Sequence, residues 1–284
     1  WSEHWSFEAP QPSATPIVEG DAWSRDPIDR FVRRGMDSNG LSPADAASKA
    51  MLLRRLAFDL TGLPPTLEAQ SDFLADDRPD AYERVVDRLL ASPAYGERMA
   101  VDWLDLARYA DTYGYQSDVD RSVWPYRDWV IEAFNRNLPY DDFAVWQLAG
   151  DLLPEPTRAQ RLATAFNRLH RQTNEGGSVE EEFRVEYVAD RVHTFGTTFL
   201  GLTTECARCH THKFDPITHD EYYGLFAFFD DIDESGLYSH FTSATPTPTL
   251  LLDPPETTRR IAELRAAIAA AERSLDAVAA DELA

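Results

Sequence analysis

The sequence is short of cysteine, lysine, methionine and long apolar runs, and each shortage excludes something. Only two of its 284 residues are cysteines and three are methionines, which leaves no second cysteine pair for a typical structural zinc site. No stretch approaches the roughly 20 apolar residues of a membrane-spanning helix; the longest candidate lies around Leu225–Phe229. No membrane span is therefore expected in this chain. Lys49 and Lys213 are the only lysines, so nearly all positive charge is arginine, the better residue for fixed bidentate ion pairs. A net charge of −22 is the opposite of what phosphate neutralisation needs and argues against a nucleic-acid partner. The acidic excess suits either a basic partner or salt adaptation.

What is present fits a folded protein of one or two domains. Hydrophobic residues make up 43% and aromatics 12%, too many for a disordered chain. The first residue is Trp1, with no basic or apolar leader after it, as expected of a mature or excised segment. Residues 1–25, rich in Pro, Ser and Trp, read as an extended lead-in. Asp26-Pro27 supplies an N-cap and a favoured first helical residue. A second helix start is expected at Ser42-Pro43, leading to Met51, Leu56 and Leu60, with Gly62-Leu63-Pro64-Pro65 as its stop and Thr66 opening a short third helix.

Further helices are expected over 79–91, 93–111, 125–136, 140–152, 157–169, 178–203 and 218–229, with Ser92-Pro93 and Thr218 as caps. Hardly any segment alternates with period two. The expected fold is mainly α: an irregular multi-helix domain over 26–240, a Pro/Thr connector over 241–255, and a C-terminal helical arm over 256–284. Ile261, Leu264, Ile268 and Leu275 share one face of that arm, as in an amphipathic or coiled-coil helix.

Most of the chemistry lies in Cys206-Ala207-Arg208-Cys209-His210. Cys-x-x-Cys-His is the attachment signature of haem c: two thiols at this spacing reach the two vinyl groups on one porphyrin edge, and the adjoining imidazole becomes an axial ligand. The residues imply one covalent haem c, with Cys206 and Cys209 as thioethers and His210 as proximal ligand. Three rivals remain. Zinc has Cys206, Cys209, His210 and His212 to use, but all lie within seven residues, whereas structural zinc sites usually draw a second pair from a distant segment and no other cysteine exists. A redox dithiol normally follows a strand. A disulfide closing so short a loop is a poor staple.

The iron then needs a second ligand or an open position. His170, in the polar turn Leu169 to Gly177, is the first candidate for the distal site. His193 lies thirteen residues before Cys206; on a continuous helix that is about 20 Å of rise, too far for the same iron. His212 and Lys213 are placed to meet a propionate or orient the motif. His219 and His240 read as surface residues, His4 lies in the lead-in, and Met36, Met51 and Met99 read as core. Tyr222, Tyr223, Phe226, Phe228 and Phe229 form an aromatic stripe suited to core or to a haem wall. Glu180-Glu181-Glu182 reads as a solvated helix start.

Several runs together resemble the second of the planctomycete cytochrome c-like domain families. They are Pro27 to Phe31, Arg54 to Pro65, Tyr95 to Arg98, Trp103 to Asp111, Tyr126 to Ile131, Gln147 to Asp151, Glu175 to Gly177 and Cys206 to Pro216. The resemblance implies a secreted haem c protein, the middle piece of a larger multidomain precursor whose other domains are its redox partners. Thr211 stands where the family commonly has Asp. Within the matching runs, Arg54, Arg55 and Asp59 have the spacing of a buried ion network. Arg108, Asp111, Arg127 and Asp128 either tie helices together or line a pocket.

Three functions from different classes fit. The first is electron transfer in a periplasmic, cell-surface or secreted setting, with the iron between His210 and His170. The second is a haem-dependent oxidoreductase with an open iron position, acting on a carbohydrate or other extracellular substrate near Glu175. The third is a structural or interaction module that keeps haem or zinc as a staple.

Overall fold

The computed structural model describes residues 5–238, 247–250 and 252–282, with the backbone alone at Pro255 and over 274–282. The lead-in residue His4 and the surface candidate His240 lie outside the described residues. The chain divides into two units, Trp1–Ser243 and Ala244–Ala284. Among the described residues the fold is mainly helical with no strands, and no helix is long and apolar enough to cross a membrane.

The first unit carries helices α1 (Pro27–Ser38), α2 (Lys49–Thr61), α3 (Leu67–Ala75), α4 (Ala81–Leu90), α5 (Pro93–Leu106), α6 (Trp124–Asn135), α7 (Tyr140–Ala149), α8 (Arg158–Ala163), α9 (Glu180–Phe195) and α10 (His219–Asp230). Six of them, α1, α2, α3, α5, α8 and α10, start at a side chain that satisfies an orphan N–H group of the first turn. The Asp26 carboxylate accepts from the Asp29 amide, Thr66 from Ala69 and Ser92 from Ala94. Thr218 and Glu221 form a reciprocal capping box on α10. The expected start at Ser42-Pro43 is corrected: residues 41–48 are not helical, and the cap of α2 is Ser48.

The main core lies between α5, α6, α7 and α8. Trp103, Tyr126, Trp129, Val130 and Phe143 are buried there. At its centre the Gln147 carboxamide oxygen accepts from the Trp103 indole at 2.8 Å and the Tyr126 hydroxyl at 2.6 Å. A buried amide is tolerated because it is satisfied. A second cluster joins α9 and α10 through Val188, Val192, Ala207, Tyr222 and Phe229.

Four helices are shorter than expected: α7 and α8 end at Ala149 and Ala163 and pass into 3-10 turns over Gly150–Leu152 and Thr164–Arg168, and α5 and α9 are cut off by reversals. α5 ends at Leu106 instead of 111 because Arg108 is left-handed, with φ 58°. The Tyr109 amide then closes on the Leu104 carbonyl at 2.9 Å, a reversal geometry that glycine usually provides. The Arg108 guanidinium pairs with Asp190 on α9, so this arginine ties helices together. α9 ends at Phe195, a π-turn follows over Gly196–Leu200, and Gly201 is left-handed with φ 64°. The expected helix to 203 is thus broken, and the chain turns back on itself. Arg54, Arg55 and Asp59 are exposed, so they are not a buried network; Arg54 stacks over Phe58 at 4.6 Å.

The second unit contains α11 (Pro255–Glu282). Leu264 and Ile268 are exposed on it, while the Leu275 side chain lies outside the described residues.

Candidate functional site

The Cys-x-x-Cys-His run forms a single 3-10 turn over Glu205–Arg208. The Cys209 and His210 amides both reach the Cys206 carbonyl at 3.3 Å. Ala207 is fully buried against α9 and α10, which pins the turn to the second core. Arg208 makes a two-pronged ion pair with Glu186 of α9, at 2.6 and 3.1 Å. The Arg208 carbonyl accepts from His219 Nε2 at 3.2 Å and the Tyr223 hydroxyl at 3.1 Å. The residues between the cysteines therefore anchor the turn, leaving both thiols free and exposed.

His210 is exposed, with Nδ1 2.8 Å from the Thr211 carbonyl. A carbonyl only accepts, so Nδ1 carries the proton and Nε2 keeps its lone pair. That is the tautomer a metal-ligating histidine needs, fixed by an outer partner. His212 is buried and serves the loop: its Nδ1 accepts from the amides of Asp215 at 2.9 Å and Phe214 at 3.3 Å. Lys213 is exposed and its ammonium sits 5.0 Å from the Phe214 ring centroid. Among the described residues no three His, Cys, Asp or Glu side chains converge as a bare metal ion requires, so a zinc set of Cys206, Cys209, His210 and His212 is not assembled.

Two cavities lie in this part of the chain, one lined by residues on either side of the turn in sequence and one by residues of the turn itself. One of about 500 Å³ is lined by Phe7, Leu200, Leu202, Phe214 and Asp215. Phe214 is 63% exposed and Leu200 53%, so this cavity has an apolar rim. The other, about 290 Å³, is polar and includes Arg171, Glu186, Asp190, His193, Glu205 and Arg208. The aromatic stripe of α10 divides: Tyr222 and Phe229 are core, Tyr223 and Phe228 are exposed.

His170 sits in a buried ionic cluster. Its Nδ1 lies 2.9 Å from the Arg171 carbonyl, and its Nε2 lies 3.1 Å from Glu234 Oε1 and 2.8 Å from Arg191 Nη2. Both nitrogens are committed in this arrangement. Glu234 also accepts from Gln172 and Tyr238, each at 3.0 Å, and pairs with Arg168 at 2.7 Å and with Arg191. The Tyr187 ring stacks on His170 at 4.5 Å. Burial lowers the His170 pKa to about 4 against the pull of Glu234. For Glu234 burial acts upward, but the Arg191 and Arg168 guanidiniums beside it hold the carboxyl well below its ordinary range. Arg121 donates to the carbonyls of Leu169 and His170, each at 3.0 Å, and so holds the turn. Glu175 lies on the exposed part of the same segment.

Two residues of this region escaped the sequence reasoning. Glu234 follows Asp230, Asp231 and Asp233, a run that reads as solvated. On a continuous helix His193 would lie far from the motif, whereas the reversal at Gly201 brings its Nδ1 to 3.8 Å from Glu205 Oε1. The usable signal was Gly201 itself, since glycine just past a helical run marks its end.

Residues 27–234 match the family model described as PSCyt2, protein of unknown function (DUF1549). No curated protein and no solved structure matches the chain.

Proposed function

The chain belongs to this planctomycete cytochrome-c-like domain family, and from that premise we propose that it is a c-type haem domain, exported from the cytoplasm, that passes electrons to a partner domain or protein. The observation that carries this reading is the motif turn itself. It presents two free, exposed thiols three positions apart beside an imidazole whose Nδ1 is already committed.

The residues present fit the cofactor. Cys206 and Cys209 would form the thioethers and His210 Nε2 the proximal bond to iron. Phe214, four residues past His210, and Leu200 are exposed apolar side chains that would help to keep water from a bound porphyrin. Lys213 and His212 stand next to the motif; Lys213 is the residue free to meet a propionate, because His212 is occupied with the loop amides. Covalently attached haem supplies a one-electron iron couple. The net charge of −22 favours a basic partner surface and makes association fall with ionic strength. Haem c attachment takes place outside the cytoplasm, which supports an extracytoplasmic location, and the family resemblance makes other domains of the same precursor the natural partners.

The test is co-expression with a haem c maturation system, export, and mass spectrometry of the peptide holding Cys206 and Cys209. Expected is one haem linked through both sulfurs, absent in Cys206→Ser/Cys209→Ser. Unmodified thiols in the matured wild type count against the proposal. The polar cavity of about 290 Å³ beside the turn favours a second reading, a haem-dependent oxidoreductase that binds a small polar substrate there. That reading requires an open iron position and hence carbon monoxide binding.

A further inference from the structure

We infer that α11 pairs with the α11 of a second copy of this chain, side by side and antiparallel, in a short two-fold coiled coil that does not depend on haem. α11 is a helix of 28 residues, and Leu264 and Ile268 are exposed on it. A lone helix in water is marginal, and one with an apolar stripe gains most of its stability by burying that stripe.

The stripe has coiled-coil spacing. Ile261, Leu264, Ile268 and Ala271 follow one another at intervals of three, four and three, and Leu275 and Val278 continue the register in the sequence. That is a strict seven-residue repeat, with Ile261, Ile268 and Leu275 at one seam position and Leu264, Ala271 and Val278 at the other. Ala271 is the one small residue among these six, and what faces it decides the direction. Two parallel copies set like against like: Ala271 meets Ala271 and leaves a hole, and Arg260 meets Arg265 at the flank. Two antiparallel copies set one seam position against the other. With Leu264 opposite Leu275, Ile268 fills the space beside Ala271, and Ile261 meets Val278.

The flanking charges favour the same direction. In that register Arg265 lies opposite Glu272 of the second copy and Arg260 opposite Asp281, and two-fold symmetry makes each pair occur twice. The polarity extends along the helix. Residues 255–268 carry three arginines and two glutamates, whereas 269–282 carry one arginine and four acids. Opposed helix dipoles add to the preference.

The test is sedimentation equilibrium of the whole chain at physiological ionic strength. Expected for wild type is a reversible dimer that forms below about 200 μM. Leu264→Glu/Ile268→Glu should abolish it. Every Trp and Tyr lies at or before Tyr238, so an unchanged near-ultraviolet circular dichroism spectrum shows that the first unit of this variant is intact. Arg265→Glu turns two exposed attractive pairs repulsive and should raise the dissociation constant roughly tenfold; Arg265→Glu/Glu272→Arg should restore it. A wild type that stays monomeric overturns the proposal and leaves the stripe to another part of the protein or to a different partner. A dimer untouched by Leu264→Glu/Ile268→Glu overturns it by putting the contact elsewhere. A dissociation constant unmoved or lowered by Arg265→Glu overturns the antiparallel pairing, since in a parallel pair the new glutamate would meet Arg260.

Discussion

The His170 ring and the Glu234 carboxylate meet at 3.1 Å although 64 residues separate them in sequence. Nδ1 must carry a proton because it faces the Arg171 carbonyl, so only Nε2 can change its protonation. In neutral histidine the Nε2 lone pair accepts from Arg191. Glu234 then serves as counter-ion to Arg168 and Arg191 and joins the segment after α10 to α9 and to the turn after α8.

Glu234→Ala should therefore be among the most damaging single changes. It leaves two buried or nearly buried guanidiniums without their carboxylate, and breaking a buried pair from one side costs about 3–5 kcal/mol. Chemical denaturation should show a loss of that size, with a melting temperature lower by on the order of 10 °C. A loss below about 1 kcal/mol would mean that water reaches the cluster and screens it.

Acid should weaken the fold in two stages. Between pH 6.5 and about 4 the unfolded chain protonates at His170 while the native one does not. The unfolded state then binds more protons, so stability falls as pH falls, by about 3 kcal/mol across the window. Below the ordinary glutamate range, lost ionisation of Glu234 adds to the effect, since its native carboxyl is held low. Urea midpoints at pH 7, 5.5 and 4.5 should decline in that order, and His170→Ala should remove most of the decline above pH 4.5. The same variant, as holoprotein, should keep the wild-type spin state.

The helical class and most helix starts were legible because caps are local. Asp26, Thr66, Ser92 and Thr218 each bond an amide within three residues. The ends of α5 and α9 were not, because apolar spacing continues past both. Arg108 takes the backbone role of glycine, and the π-turn after Phe195 keeps helical character in the wrong register. The thiols and His210 were readable as a motif. The surroundings of His170 and His193 were not, since Glu234 and Glu205 reach them only through the tertiary path of the chain.

His212→Ala should loosen the motif loop without touching the thiols. The variant leaves the Phe214 and Asp215 amides without their shared acceptor, at a cost of about 1–2 kcal/mol if water replaces it poorly. Limited proteolysis between Lys213 and Ile217 should quicken several-fold. His212→Asn, which can still accept from those amides, should restore most of the resistance. Equal cleavage of His212→Ala and wild type would show that the Ile217 carbonyl, which holds the His212 amide at 2.8 Å, secures the loop alone.

Gly236→Ala tests whether the segment after α10 is fixed by contact with α9. A methyl built there lies 1.8 Å from the Glu180 carbonyl and 2.6 Å from the Arg184 amide. Both are backbone atoms that cannot swing aside, so the segment must move. The Tyr187 hydroxyl then loses the Gly236 carbonyl, and Glu234, two residues earlier, is drawn from His170. Overpacking of this kind costs about 1–3 kcal/mol, and the displaced carboxylate should raise the loss toward that of Glu234→Ala. Gly176→Ala is the control, because a methyl there meets nothing within 4 Å and should change stability by less than about 0.5 kcal/mol. Equal denaturation midpoints for the two variants would show that the segment yields without cost, and the Glu234 cluster would then owe its position to its charges alone.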